Sequence, residues 1–254
     1  MNDFSSQVSA AEKVLRSILP PTPLQRSNFL SEKYEANIFL KREDLTPVRS
    51  YKIRGAFFFF SSFLEKNQKK NSSFVCASAG NHAQGFAFSC AHFQVLGKIF
   101  MPTTTPPQKV TMTKSFGGKN IEVILVGDTF DEAAAAAKEC CAKEKSIFVP
   151  PFDDKRIIIA AGTVAQEILG QIKKPVDILI TPIGGGGLSA GISEFFREQS
   201  SQTQIFCAEP KEAPSLFESL RQKKRITLEK MSTFVDGCAV AQIGKNNLTL
   251  LQKN

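Results

Sequence analysis

Short apolar runs recur along the chain, bounded by Gly, Pro, Asn or Asp, and most lead into longer stretches of helical period. Strands are predicted over 37–41, 74–77, 98–101, 122–126, 147–149, 177–181 and 204–208. Helices are predicted over 131–144, 162–171 and 188–198. The first of these is rich in Ala and charge, with Asp128 or Thr129 as its cap. Strands alternating with helices imply right-handed crossovers and a mostly parallel sheet. Ligands in such sheets bind at the carboxyl ends of strands, where glycine-rich loops enter helices. No internal repeat or Gly/Ser linker interrupts the pattern.

Composition narrows the class. Hydrophobic residues are 42% and charged residues 22% of 254, which excludes collagen-like, disordered and coiled-coil chains. No apolar run approaches the roughly eighteen residues of a membrane span. The first twelve residues lack the basic start and apolar stretch of a secretory signal, so a cytoplasmic protein without a membrane partner is expected. The net charge is +8, but its densest runs, 66–70 and 221–225, read as solvated faces, and no nucleic-acid partner is expected. The six cysteines form no C-x-x-C and are expected as free thiols. With only His82 and His92 present, no metal site is expected. Glu209 after the last strand is read as a cap or surface carboxylate before a cation ligand, and 57–60, four consecutive Phe, as core or interface.

Three stretches could carry chemistry. In Cys76-Ala-Ser-Ala-Gly-Asn-His-Ala-Gln-Gly85 a strand ends in small residues, turns at Gly80 and opens a helix near Asn81. Free N–H groups at such a start attract a carboxylate or phosphate, though a plain N-cap and tight turn explain it as well. In Thr181-Pro-Ile-Gly-Gly-Gly-Gly-Leu-Ser189 four successive glycines precede a helix. That costs backbone entropy beyond what a connection needs, and its expected use is to present several N–H groups to a phosphate, with a plain flexible loop as the alternative. The spacing matches neither Walker A nor G-x-G-x-x-G. The third stretch is 40–56, LKREDLTPVRSYKIRGA, with Lys52 at the start of the next helix. A lysine among packed apolar neighbours can serve as a Schiff-base amine, but position alone does not select Lys52.

Together these stretches resemble a pyridoxal 5'-phosphate (PLP) site, and the chain resembles the threonine dehydratase (threonine ammonia-lyase) branch of the fold type II PLP enzymes. The resemblance rests on LKRED (40–44), VRSYKIRGA (48–56), ASAGNHAQG (77–85), PPFD (150–153), IGGGGLSAG (183–191) and FVDGCAVAQIG (234–244). It implies the tryptophan synthase β-like fold: two three-layer α/β subdomains with mostly parallel sheets. The cofactor-binding part would be about 1–60 plus 147–254, the small substrate-side part 61–146, with no regulatory domain. It implies that Lys52 carries the cofactor and moves the Cα proton, and that Asn81 bonds the cofactor's 3'-oxygen. Gly184, Gly185, Gly186, Gly187 and Leu188 would hold the phosphate, and Ser78, Ala79, Gly80, Asn81 and His82 the substrate carboxylate. The implied reaction is dehydration and deamination of L-threonine, with L-serine as a second substrate, in amino-acid metabolism and isoleucine biosynthesis. A homo-oligomer is left open. Rivals are a serine dehydratase or racemase on the same scaffold, or a shortened non-catalytic PLP-binding chain.

Three departures from the family pattern stand out. Ala160-Ala161-Gly162-Thr163 replaces Gly-Gln-Gly-Thr, expected just before a helix near Thr163 and close to the cofactor. Ala241-Gln242 replaces a basic pair. The family's later Ser-Gly-Ala segment, whose serine meets the pyridine nitrogen, has no counterpart in 1–254, so the C-terminal part is expected to be missing and the 254-residue chain weakly stable and poorly active.

Overall fold

The computed structural model describes residues 3–67 and 72–253, so most of the basic run at 66–70 lies outside the described residues. Helix α1 (Phe4–Leu15) starts on Asp3, whose carboxylate caps Ser6 N. Strand β1 (Leu24–Arg26), helix α2 (Asn28–Lys33) and strand β2 (Phe39–Lys41) follow, and β1 pairs antiparallel with β2. A 3-10 turn at Glu43–Leu45 leads to α3 (Lys52–Asn67), the helix that begins on the candidate lysine.

The next elements build a three-layer unit: β3 (Ser73–Ala77), α4 (Asn81–Phe93), β4 (Leu96–Met101), α5 (Pro107–Gly117), β5 (Ile121–Leu125), α6 (Phe130–Glu144) and β6 (Ile147–Phe148). The four strands are parallel in the order β5-β4-β3-β6. The central strand is buried on both faces, which explains its continuous apolar run. Phe74 and Cys76 pack with Phe60 of α3 and Phe86 of α4, while Val75 and Ala77 pack with Ala133 and Ala137 of α6. The Phe run is core, as expected: Phe57, Phe59 and Phe60 are buried, and Phe60 lies 4.3 Å from the Phe74 ring. Thr129 is the cap of α6, in a capping box with Glu132. Strand β6 hydrogen-bonds into this sheet through Ile147 and Phe148, just past the expected subdomain boundary.

The remaining elements are α7 (Lys155–Gln171), β7 (Ile178–Pro182), α8 (Gly187–Gln199), β8 (Gln204–Ala208), α9 (Ser215–Arg221) and α10 (Lys245–Leu251). Strands β7 and β8 pair in parallel, and Leu179 faces a core shared by α1, α7 and α8. The other face shows Ile178, Ile180 and Phe206, each more than half exposed.

Helix α7 begins at Lys155, capped by Asp154, seven residues before the expected start. Residues 160–163 therefore lie inside a helix and not in a loop before it. Ala160 packs on Leu15 and Phe57, and Thr163 Oγ1 accepts from Arg54. They are buried, and Gly162 and Gly191 let α7 and α8 meet backbone to backbone. A Cβ on Gly191 would lie 2.3 Å from the Ile158 carbonyl. Glu209 caps the start of α9, accepting from Leu216 N at 2.7 Å and Phe217 N at 3.0 Å.

Candidate active site

Lys52 is the first residue of α3 and is held from three sides. Its Nζ donates to the Pro151 carbonyl at 2.8 Å and lies 5.3 Å from the Tyr51 ring centre and 5.9 Å from that of Phe152. Helix α4 presses on the same turn because Gly85 has no side chain. A Cβ there would sit 3.1 Å from the Lys52 carbonyl and 3.2 Å from Ile53 N.

Behind the lysine the helix is anchored by charge. Arg54 has no solvent exposure, and its guanidinium bonds Glu43, Glu167, Thr163 and Thr22. Lys41 and Arg16 also reach Glu167. Burial pushes the Glu167 carboxyl up, but hydrogen bonds and charge from Arg54, with Lys41 and Arg16, outweigh it and bring the pKa down to about 2. The network therefore stays ionised, and it ties the LKRED segment and α7 to the first turn of α3.

The glycine loop is a closed socket. Gly184, Gly185, Gly186, Gly187 and Leu188 are all buried. Among the described residues their N–H groups have no acceptor. Gly186 has φ +89°, which L side chains rarely adopt. The other glycines admit neighbours: a Cβ on Gly185 would lie 2.2 Å from the Phe152 ring, on Gly187 2.8 Å from the Phe152 carbonyl, and on Gly184 2.9 Å from Cys238 Cα. Buried, unpaired donors at a helix start suit a phosphate. Phe152 lines both the socket and the lysine. The residues present thus fit PLP: a lysine amine and an anion cup joined by one aromatic side chain.

The turn before α4 is more open. Ser78 N donates to the Phe100 carbonyl and Gly80 N to Ser78 Oγ. Gln84 N makes the first bond back into the turn, so Asn81, His82 and Ala83 present unpaired N–H groups among the described residues. Ser78, Ala79 and Gly80 are partly exposed and Asn81 is exposed. The His82 ring is buried, with Nε2 3.0 Å from the Val149 carbonyl. Burial, then the Lys52 charge, pulls its pKa down to about 3, so it is neutral at physiological pH. The Lys52 charge also reaches Cys238, where burial is the larger influence and raises the thiol pKa.

The structure thus joins Lys52 to His82 and the 78–82 turn, and through Phe152 to the glycine loop. Sequence reasoning missed Phe152, Cys238 and Asn247 as parts of this site. PPFD and FVDGCAVAQIG contain the first two, but nothing local shows that they meet the glycines.

Known proteins bear out the resemblance. The family model described as "Pyridoxal-phosphate dependent enzyme" matches residues 15–254. The biosynthetic L-threonine dehydratase IlvA of Halalkalibacterium halodurans is 49% identical over 243 residues, 96% of this chain and 58% of the relative. That of Bacillus subtilis is 46% identical over 95% of this chain and 57% of the relative. The chain therefore spans under three-fifths of the length of these two relatives. Among solved structures, processed threonine deaminase isoform 2 from Solanum lycopersicum superposes with TM-score 0.91 at 36% identity, covering 98% of this chain and 71% of that one. Maize serine racemase superposes with TM-score 0.90 at 26% identity, covering 98% and 74%. With that family model matching nearly its whole length, the chain belongs to the pyridoxal-phosphate dependent enzyme family.

Proposed function

We infer that the protein carries PLP on Lys52 and dehydrates and deaminates L-threonine to 2-oxobutanoate and ammonia, with L-serine as a second substrate. The observation that carries the cofactor role is the junction of the Lys52 amine, through Phe152, with five buried N–H groups that have no acceptor among the described residues. Threonine as substrate is supported by the relatives' names and by identity of 49% and 46%. The molecule divides into the four-stranded unit on the substrate side and the remainder around the glycine loop.

Each residue then has a task. Gly184 to Gly187 and Leu188 hold the phosphate through N–H groups. Asn81 donates to the 3'-oxygen from the exposed start of α4. Unpaired N–H groups in the 78–82 turn receive the substrate carboxylate. Lys52 Nζ takes the proton from Cα, whereas neutral His82 spends its Nε2–H on Val149 and orients the turn. Bound there, the cofactor supplies an electron sink for the carbanion at Cα. Water leaves from Cα–H and Cβ–OH, and one water is regained when the released product is hydrolysed to oxoacid and ammonia. The test is 2-oxobutanoate formation by the purified chain with PLP. Pyridoxal phosphate bound with no turnover of threonine or serine would identify a binding chain instead.

A further inference from the structure

The glycine loop is gripped on its outer side by the last helix. The Gly185 carbonyl accepts two hydrogen bonds, from Gly244 N at 3.1 Å and from Asn247 Nδ2 at 2.7 Å. Asn247 Nδ2 also reaches the Phe152 carbonyl at 3.3 Å. The gripping segment is itself fastened by Asp153, which accepts from Lys245 N at 2.8 Å and Asn246 N at 3.0 Å.

Peptide planarity turns this grip into aim. The Gly185 carbonyl and the Gly186 N–H belong to one trans unit and point in opposite directions. Drawing the oxygen toward α10 points that N–H away from α10, into the cup. The amide itself shows what Asn247 is for. It is fully buried, and its Oδ1 has no partner among the described residues. A buried, unpaired acceptor is unfavourable, so an apolar side chain would pack here at lower cost. What only the amide supplies is the donor. Its orientation is fixed, because a flipped amide would set Oδ1 against two carbonyl oxygens.

We propose that Asn247 is a positioning residue for the cofactor phosphate, acting through the Gly185–Gly186 peptide. This rests on the reading that the glycine loop holds the phosphate. Its signature is specific: loss of the grip weakens what binds the phosphate and spares what binds the rest of the cofactor. Pyridoxal lacks the phosphate yet can form the same link to Lys52.

The experiment measures the affinities of the full chain for PLP and for pyridoxal by absorbance titration, with thermal melts confirming folding. Wild type should prefer PLP strongly. Asn247→Ala should reduce that preference by roughly tenfold and Asn247→Asp by more, with pyridoxal affinity held within about threefold. Asn246→Ala, a change at an exposed neighbour, should leave both affinities unchanged. If Asn247→Ala does not fold, Asn247→Ser replaces it. Equal weakening of PLP and pyridoxal, or no weakening of either, overturns the proposal. A wild type without preference for PLP would overturn the phosphate reading beneath it.

Discussion

Helices α4 and α8 both open on glycine with unpaired N–H groups, yet they are built in opposite ways. The start of α8 is buried and encased: Phe152, Cys238 and Asn247 fill the space a side chain would need at Gly184 to Gly187. The start of α4 is open: Asn81 is exposed, and a Cβ on Gly80 would meet nothing within 4 Å. A permanently bound anion gains from a dry, rigid socket, whereas an exchanging one needs a path to water. The difference supports the proposal that α8 holds the phosphate and α4 the substrate carboxylate.

Lys52 lies between the two sockets, so its role tests the comparison most severely. Borohydride reduction with PLP should label Lys52 in peptide mapping, and Lys52→Ala should lower turnover by about a thousandfold or more. Labelling of another lysine would dissolve the arrangement. Gly186→Val comes next. It forces a β-branched residue to positive φ and onto Asn247 and Ile243, at a cost of about 2–4 kcal/mol for strain and overpacking together. PLP affinity should fall at least about thirtyfold by absorbance titration. Unchanged affinity would mean that the α8 socket does not hold the phosphate.

A subtler effect concerns the α4 side. His82 has its folded pKa depressed from the ordinary 6.5 to about 3. Between those values the unfolded chain binds the extra proton, so stability is fully present above 6.5 and is lost as pH falls through this window. Urea unfolding between pH 6.5 and 5, where most carboxylates stay ionised, should show a decline of up to about 1.4 kcal/mol per pH unit. His82→Gln should flatten it. An equal slope in the variant would remove His82 as the source.

The parts that were readable in advance are those whose chemistry lies in one contiguous stretch. Lys52 opens a helix, Asn81 follows a small-residue turn, and 184–187 are consecutive glycines. The parts that were hidden depend on distant segments meeting. Asn247 is unremarkable in Lys-Asn-Asn-Leu until α10 packs against Gly186. The early start of α7 was obscured by Ile157-Ile158-Ile159, a β-branched run that reads equally as strand. Arg54 lies two residues past the lysine, but only the meeting of LKRED and α7 makes it a buried anchor. Breaking that anchor by Arg54→Met should cost about 3–5 kcal/mol, because it leaves Glu43 without its cation and Glu167 with only Lys41 and Arg16, a loss read as a lower urea midpoint.

The smallest expected change separates packing from function most cleanly. At Gly80 no atom within 4 Å blocks a methyl group. Gly80→Ala should therefore leave the fold intact. The Gly184 to Gly187 socket is elsewhere, so PLP affinity should hold within about twofold. The methyl group would instead project into the open space before α4, where the carboxylate is assigned. KM for threonine should rise about tenfold, equivalent to about 1.4 kcal/mol of binding. A KM unchanged from wild type, with stability and PLP affinity also unchanged, would move the carboxylate away from the α4 turn and end the division of labour between the two helix starts.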